Sequence, residues 1–193
     1  MRRVHVVVLC EGFEDWQFAL RILVRLGWRH DQIAPNVSPS AKGSAYTYVL
    51  NNYAAEVRAN RGGKKTRALL VLIDADTRHE GGREQELNKR LKDTDQKLRQ
   101  ARERIALWVP RRQLETWVYF LTHGQADEET NYKDEHLVKE HEYKPASELL
   151  ARTLKARRAL PAKAIPSLKR AVVEFERLRS SQRKDSKRLK RGR

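Results

Sequence analysis

Ala68-Leu69-Leu70-Val71-Leu72-Ile73-Asp74-Ala75-Asp76 is the clearest strand signal in the chain: six consecutive aliphatic residues, stopped at once by two acids around a small residue. An unbroken apolar run of this length reads as a strand buried on both faces. The same grammar occurs near the start. Val4–Cys10 is almost continuously aliphatic and ends in Glu11-Gly12, with Asp15 one helical turn further on. Two buried strands that each end in acids decide the fold class, and the rest of the chain is placed relative to them.

Between the two runs, Phe13 to Gly27 carries helical spacing, with Trp16, Leu20 and Leu23 near one line and Phe18, Ile22 and Leu26 beside it. Gly27 is a plausible stop. Ile33–Ser38 reads as a weaker strand interrupted by Pro35. The loop Ser38-Pro39-Ser40-Ala41-Lys42-Gly43-Ser44 follows, then a helix through Tyr46, Val49, Tyr53 and Val57 that ends at Arg61-Gly62-Gly63. After the second acidic strand end, a polar helix is expected from about Glu84 to Glu103, with a sparse stripe of Leu87, Leu91 and Leu98. Ile105–Val109 reads as a short strand closed by Pro110, and Gln113–Thr122 as a helix.

Strands alternating with helices imply an α/β fold: a Rossmann-like, mainly parallel sheet with helices on both faces. Its expected domain spans 1–123. Residues 124–145 are polar, acidic and unperiodic and read as a linker. Residues 146–179 read as a basic helical extension, and 180–193 as a basic flexible tail without core-forming residues.

Charge follows this division. The chain holds 41 Lys and Arg against 25 Asp and Glu, a formal charge of +16 over 193 residues. From Lys144 onward there are 17 basic and 4 acidic side chains; before it, 24 and 21. A nearly neutral body therefore precedes a strongly basic quarter. No apolar run approaches the ~18 residues of a membrane span, and the first residues read as a strand rather than a signal peptide. The single cysteine, Cys10, excludes a disulfide framework and a Cys-rich zinc site. His79, His123, His136 and His141 show no ligand spacing. A cytoplasmic protein with a polyanionic partner, DNA or RNA, is expected.

In a parallel sheet, ligand sites gather at the carboxyl ends of the strands. One acid there ordinarily caps a helix, as Asp15 or Asp76 would. Glu11, Asp74 and Asp76 on the same edge would repel one another and call for a cation. Hard oxygen donors make magnesium or manganese the expected ion, one or two in number.

Val-Val-Val-Leu-Cys-Glu-Gly at 6–12, Asp15, and Leu-Leu-Val-Leu-Ile-Asp-Ala-Asp at 69–76 together resemble a Toprim domain. With Val109-Pro110-Arg111-Arg112-Gln113-Leu114-Glu115-Thr116-Trp117, the pattern looks most like the stand-alone and OLD-type Toprim nucleases of bacterial defence or mobile-element operons. The resemblance covers about Val4 to Leu121. It implies a magnesium- or manganese-dependent endonuclease in which Glu11 assists proton transfer and helps hold metal. It further implies that Asp74 and Asp76 bind metal, that Asp15 is a ligand for a second ion, and that Glu115 completes the set. Lys42 would contact the scissile phosphate. The third acid that topoisomerases carry after Asp-x-Asp is absent, position 78 being Arg78, which argues against strand passage.

The chain has no Gly-x-x-x-x-Gly-Lys-Ser/Thr loop, so ATP dependence would require a partner, an ABC-type ATPase by the same resemblance. Arg157, Arg158, Lys169, Arg170, Arg183, Lys184, Lys187 and Arg188 are the expected nucleic-acid contacts. A ribosomal-RNA-maturing Toprim nuclease and a non-catalytic nucleic-acid-binding subunit are the alternatives. Oligomeric state stays open, a homodimer included.

Overall fold

Val6–Cys10 (β1), Ile33–Val37 (β2), Ala68–Leu72 (β3) and Ile105–Trp108 (β4) pair side by side in the order β2-β1-β3-β4, every pair parallel. The structure is a computed structural model and describes residues 5–39, 44–62, 67–76 and 80–179. The expected contacts Lys42, Arg183, Lys184, Lys187 and Arg188, and the tail 180–193, lie outside those residues.

The α/β reading holds, with six helices described: Phe13–Arg25 (α1), Ala45–Gly62 (α2), Glu80–Lys92 (α3), Leu114–His123 (α4), Tyr143–Ala156 (α5) and Pro166–Arg179 (α6). Because side chains alternate along a strand, each strand feeds two cores. Val6, Val8 and Cys10 join Leu70, Leu72 and Trp108 under α1, α4, α5 and α6. Val7 and Leu9 join Leu69, Val71 and Leu107 under α2 and α3. Burial on both faces explains why β1 and β3 are unbroken apolar runs.

Two expectations about element extent change. The third helix stops at Lys92, about eleven residues early. Thr94 Oγ1 bonds back to the carbonyls of Arg90 and Leu91 (3.0 and 3.1 Å), Gln96 N–H caps Leu91 O (2.8 Å), and Asp95 takes a positive φ of 53°. Asp93-Thr94-Asp95 thus offers local hydrogen bonds that compete with the helix. Leu98, read as part of the stripe, is instead exposed.

Residues 146–179 pack on the sheet rather than extend away from it. Leu150, Leu154, Leu168 and Phe175 sit in the same core as β1 and β3. Trp108 Nε1 donates to Ala171 O at 3.0 Å, Trp117 Nε1 to Ser167 Oγ at 2.7 Å, and Arg104 bonds to Leu178 O. Glu174 accepts the outward N–H of Leu107 on the edge strand β4 at 3.1 Å, so α6 covers that edge. Apolar helix faces this wide require a partner, and the sheet provides it.

The order β2-β1-β3-β4 has a consequence for function. The chain leaves β1 through α1 on one face and reaches β3 through α2 on the other. The switch lies between β1 and β3, whose last residues, Cys10 and Leu72, are in register. A crevice opens at such a point beyond the carboxyl ends of the strands.

Candidate active site

Glu11 and Asp74 sit at that crevice. The N–H of Asp74 donates to Glu11 Oε1 at 2.8 Å, so the two strand ends are joined through one carboxylate. Gly12 then turns the chain into α1, and its N–H donates to Asp15 Oδ2 at 2.9 Å. This fixes Asp15 in the first helical turn, aimed back at the crevice. Glu115, second residue of α4, accepts a hydrogen bond from the Tyr143 hydroxyl at 2.8 Å. Together these residues line one cavity of about 680 Å³, with Lys133, Glu14 and Glu140 also in its wall.

The carboxylates disturb one another. Burial pushes the Glu11 carboxyl up to about 7; the Asp74 N–H opposes the rise and the charge of Asp76 adds to it. Burial likewise brings Asp15 to about 7, assisted by Glu11 and Glu115 and opposed by the Gly12 N–H. Asp74 lies well above the usual carboxylate range, first through burial and then through the charges of Asp15, Glu11, Glu115 and Asp76. Burial opposes charge on Lys133, yet Glu115, Asp74, Asp15 and Glu14 hold its ammonium above its ordinary value. Lys133 is the cation in the cavity wall that these acids hold, and Arg21 lines the same cavity.

Four of the five expected metal residues, Glu11, Asp15, Asp74 and Glu115, line this one cavity. Asp76 is placed differently. It adopts a left-handed φ of 52°, its N–H bonds to Arg112 O at 2.9 Å, and its carboxylate is paired at 2.8 Å with Arg83. Arg83 is fully buried. It also donates to Asp74 O (2.8 Å) and Glu86 (2.7 Å) and lies 4.7 Å over the Tyr46 ring. The Asp-Ala-Asp turn is thus clamped from behind by a guanidinium, and Asp76 is charge-neutralised at the cavity's border.

The donor set suits a hard divalent ion: carboxylate oxygens, partly buried, more of them than the lysine and arginine in the wall balance. Among the described residues no three of these side chains are drawn together as a ready-made metal-binding group. Glu11 and Asp15 each spend one oxygen on a backbone N–H and keep the other.

Sequence reasoning missed Lys133 and Tyr143, both assigned to the polar linker. The overlooked signal is Tyr132, an aromatic in an otherwise polar stretch. It is buried, stacks 4.5 Å from Tyr119, and its hydroxyl accepts the Asp127 N–H at 3.0 Å. With Gln113 donating to Asn131 at 2.8 Å, it pins this segment to the body and sets Lys133 at the cavity wall. Of the expected nucleic-acid contacts, Arg157, Arg158, Lys169 and Arg170 are all solvent-facing. Arg157 ends α5 fourteen residues from Tyr143, about 21 Å away at the helical rise. The basic end of α5 and the acidic cavity are separate surfaces.

Comparison of the chain with family models, curated proteins and solved structures finds no match in any of the three. Among the described residues, no helix is long and apolar enough to cross a membrane.

Proposed function

We propose that the cavity at the β1–β3 switch is a magnesium- or manganese-dependent centre that hydrolyses phosphodiester bonds in nucleic acid, as the Toprim resemblance implies. The single observation that carries the reading is the convergence of Glu11, Asp15, Asp74 and Glu115 from three separate segments on one cavity. A fold gains nothing from gathering four mutually repelling carboxylates unless a cation meets them.

Glu11, Asp15 and Asp74 would hold the metal, with Glu115 oriented by Tyr143 at the opposite wall. Bound there, the metal would supply a lowered water pKa and charge stabilisation for the phosphoryl oxygens. The protein's own groups do the rest. Glu11 has its second oxygen beyond the Asp74 N–H bond and would accept a proton from the attacking water. Lys133 presents fixed positive charge at the cavity wall and would face the phosphate, beside the contact expected of Lys42. The basic surface of α5 and α6 supplies sequence-independent attraction for the polyanion. ATP dependence, if this chain serves a defence system, would come from a separate ATPase subunit.

The test is cleavage of plasmid, linear DNA and structured RNA with magnesium or manganese. Wild-type chain should cut at least one of them; Glu11→Ala and Asp74→Asn should lower the rate at least a hundredfold, an order of magnitude typical of lost metal or base function. Undiminished cutting by both variants would refute the assignment.

A further inference from the structure

Every tryptophan in the chain is buried, and so are Phe18, Phe120, Phe175, Tyr53 and Tyr132. Phe13 is the exception among the phenylalanines and tryptophans, 64% exposed. It is the first residue of α1, two positions after Glu11, and lines the mouth of the acidic cavity. Core packing does not account for it, because it is largely exposed and belongs to neither apolar cluster. Gln17 and Arg21 follow at intervals of four, so the three side chains stand on one face of the helix. All three line the same cavity. Among the described residues, the side chains of Gln17 and Arg21 have no hydrogen-bond or ion-pair partner.

An aromatic plane, an amide and a guanidinium in a row, leading away from a phosphodiester site, match the parts of one kind of ligand. Base faces stack on aromatic rings whatever the sequence, amides bond base edges, and guanidinium groups pair with phosphate. A base within a duplex is already stacked on its neighbours and offers no free face to Phe13. We propose that the Phe13–Gln17–Arg21 face of α1 is a binding track for an unpaired nucleic-acid strand, so that the substrate class of this site is single-stranded DNA or RNA, or a junction with an unpaired arm. The track rests on the phosphodiester reading of the cavity. Phe13 stacks a base beside the reacting phosphate, and Arg21, about 12 Å further along the helix, holds a later phosphate.

The experiment is fluorescence anisotropy of a labelled 12-nucleotide single strand and of the matching blunt duplex. It uses the full chain, with calcium in place of magnesium. Wild type should prefer the single strand. Phe13→Ala should weaken single-strand binding between about fivefold and a hundredfold, leaving duplex binding unchanged. Phe13→Trp should restore affinity and add a tryptophan signal quenched by the strand. Arg21→Gln should lower the slope of log affinity against log salt by about 0.7. Phe13 lies outside the core, so equal urea midpoints for wild type and variants confirm intact folding. Equal affinity of wild type and Phe13→Ala for the single strand, or a wild-type preference for duplex, overturns the track. If wild type neither binds nor cleaves nucleic acid with any of these ions, the phosphodiester reading fails and the track fails with it. Cleavage by wild type with Phe13→Ala unaltered overturns the track alone.

Discussion

Metal-free protein should lose stability as the pH rises from 5 to 8. The perturbation is ionisation of Glu11 and Asp15, lifted from 4.5 and 3.8 to about 7 in the folded chain. Each tenfold change in proton affinity is worth about 1.4 kcal/mol, so burial sets roughly 3 kcal/mol against the Glu11 charge and roughly 4 against Asp15. The Glu11 charge contributes to the rise at Asp15, so the total stays below the sum. Part of the change falls below pH 5, which leaves about 3 kcal/mol for the window from 5 to 8. The sign follows from proton counts. Between the unfolded and folded values the native chain binds more protons than the unfolded one, so its stability falls as pH rises through the window. Carboxylates shifted the other way, Glu103 beside Arg61 and Asp127 in its turn, are lost only below that window. Facing the two acids are Asp74, Glu115, Asp76, Glu14, Lys133 and, behind the turn, Arg83. The assay is urea denaturation at pH 5, 6, 7 and 8 in EDTA. It is repeated with saturating magnesium, which should flatten the profile, and with the Glu11→Gln/Asp15→Asn double variant, which should lessen the fall without metal while Asp74 keeps its own share. A metal-free wild type whose stability rises from pH 5 to 8, or a slope undiminished in the double variant, would refute the reasoning.

Arg83→Met should cost about 2–4 kcal/mol in urea unfolding, because three hydrogen bonds to a fully buried guanidinium disappear while Asp76 and Glu86 regain water. Trp108→Ala should cost about 3–5 kcal/mol by the same measurement, since its ring lies between Trp117 and Phe175, both 5.9 Å away, and anchors α6. Truncation after Arg179 removes seven basic side chains and should reduce the salt slope of nucleic-acid binding by up to about five; an unchanged slope would leave that stretch without a phosphate-binding role.

The parts of this architecture legible in the sequence are those set by local pattern. β1 and β3 announce themselves as apolar runs because both faces are covered, and the acids that end them are visible at the break. Glu115 was legible only through its neighbours in the Val109–Trp117 stretch. What stayed hidden depends on contacts between distant segments. Lys133 belongs to a stretch with no periodicity, placed by a single buried tyrosine and a few side-chain bonds. The pairing of Asp76 with Arg83 needs the start of α3 folded back over the strand end, and nothing in Asp-Ala-Asp itself distinguishes the acid that faces the cavity from the acid that is clamped. The role of α5 and α6 was obscured by composition: Arg and Lys on their outer faces set the charge of the region, while Leu150, Leu168 and Phe175 on their inner faces complete the core.

The hydrogen bond from Asp74 to Glu11 spans 63 residues, and Tyr143 reaches Glu115 from 28 residues beyond it. A fragment that ends before residue 143 lacks the hydroxyl that bonds Glu115 in the cavity wall. During synthesis, at roughly 5–20 residues per second, three quarters of the chain must emerge before Tyr143 can join Glu115 in the cavity wall. The wall of the cavity is therefore completed only with the helices that seal the sheet.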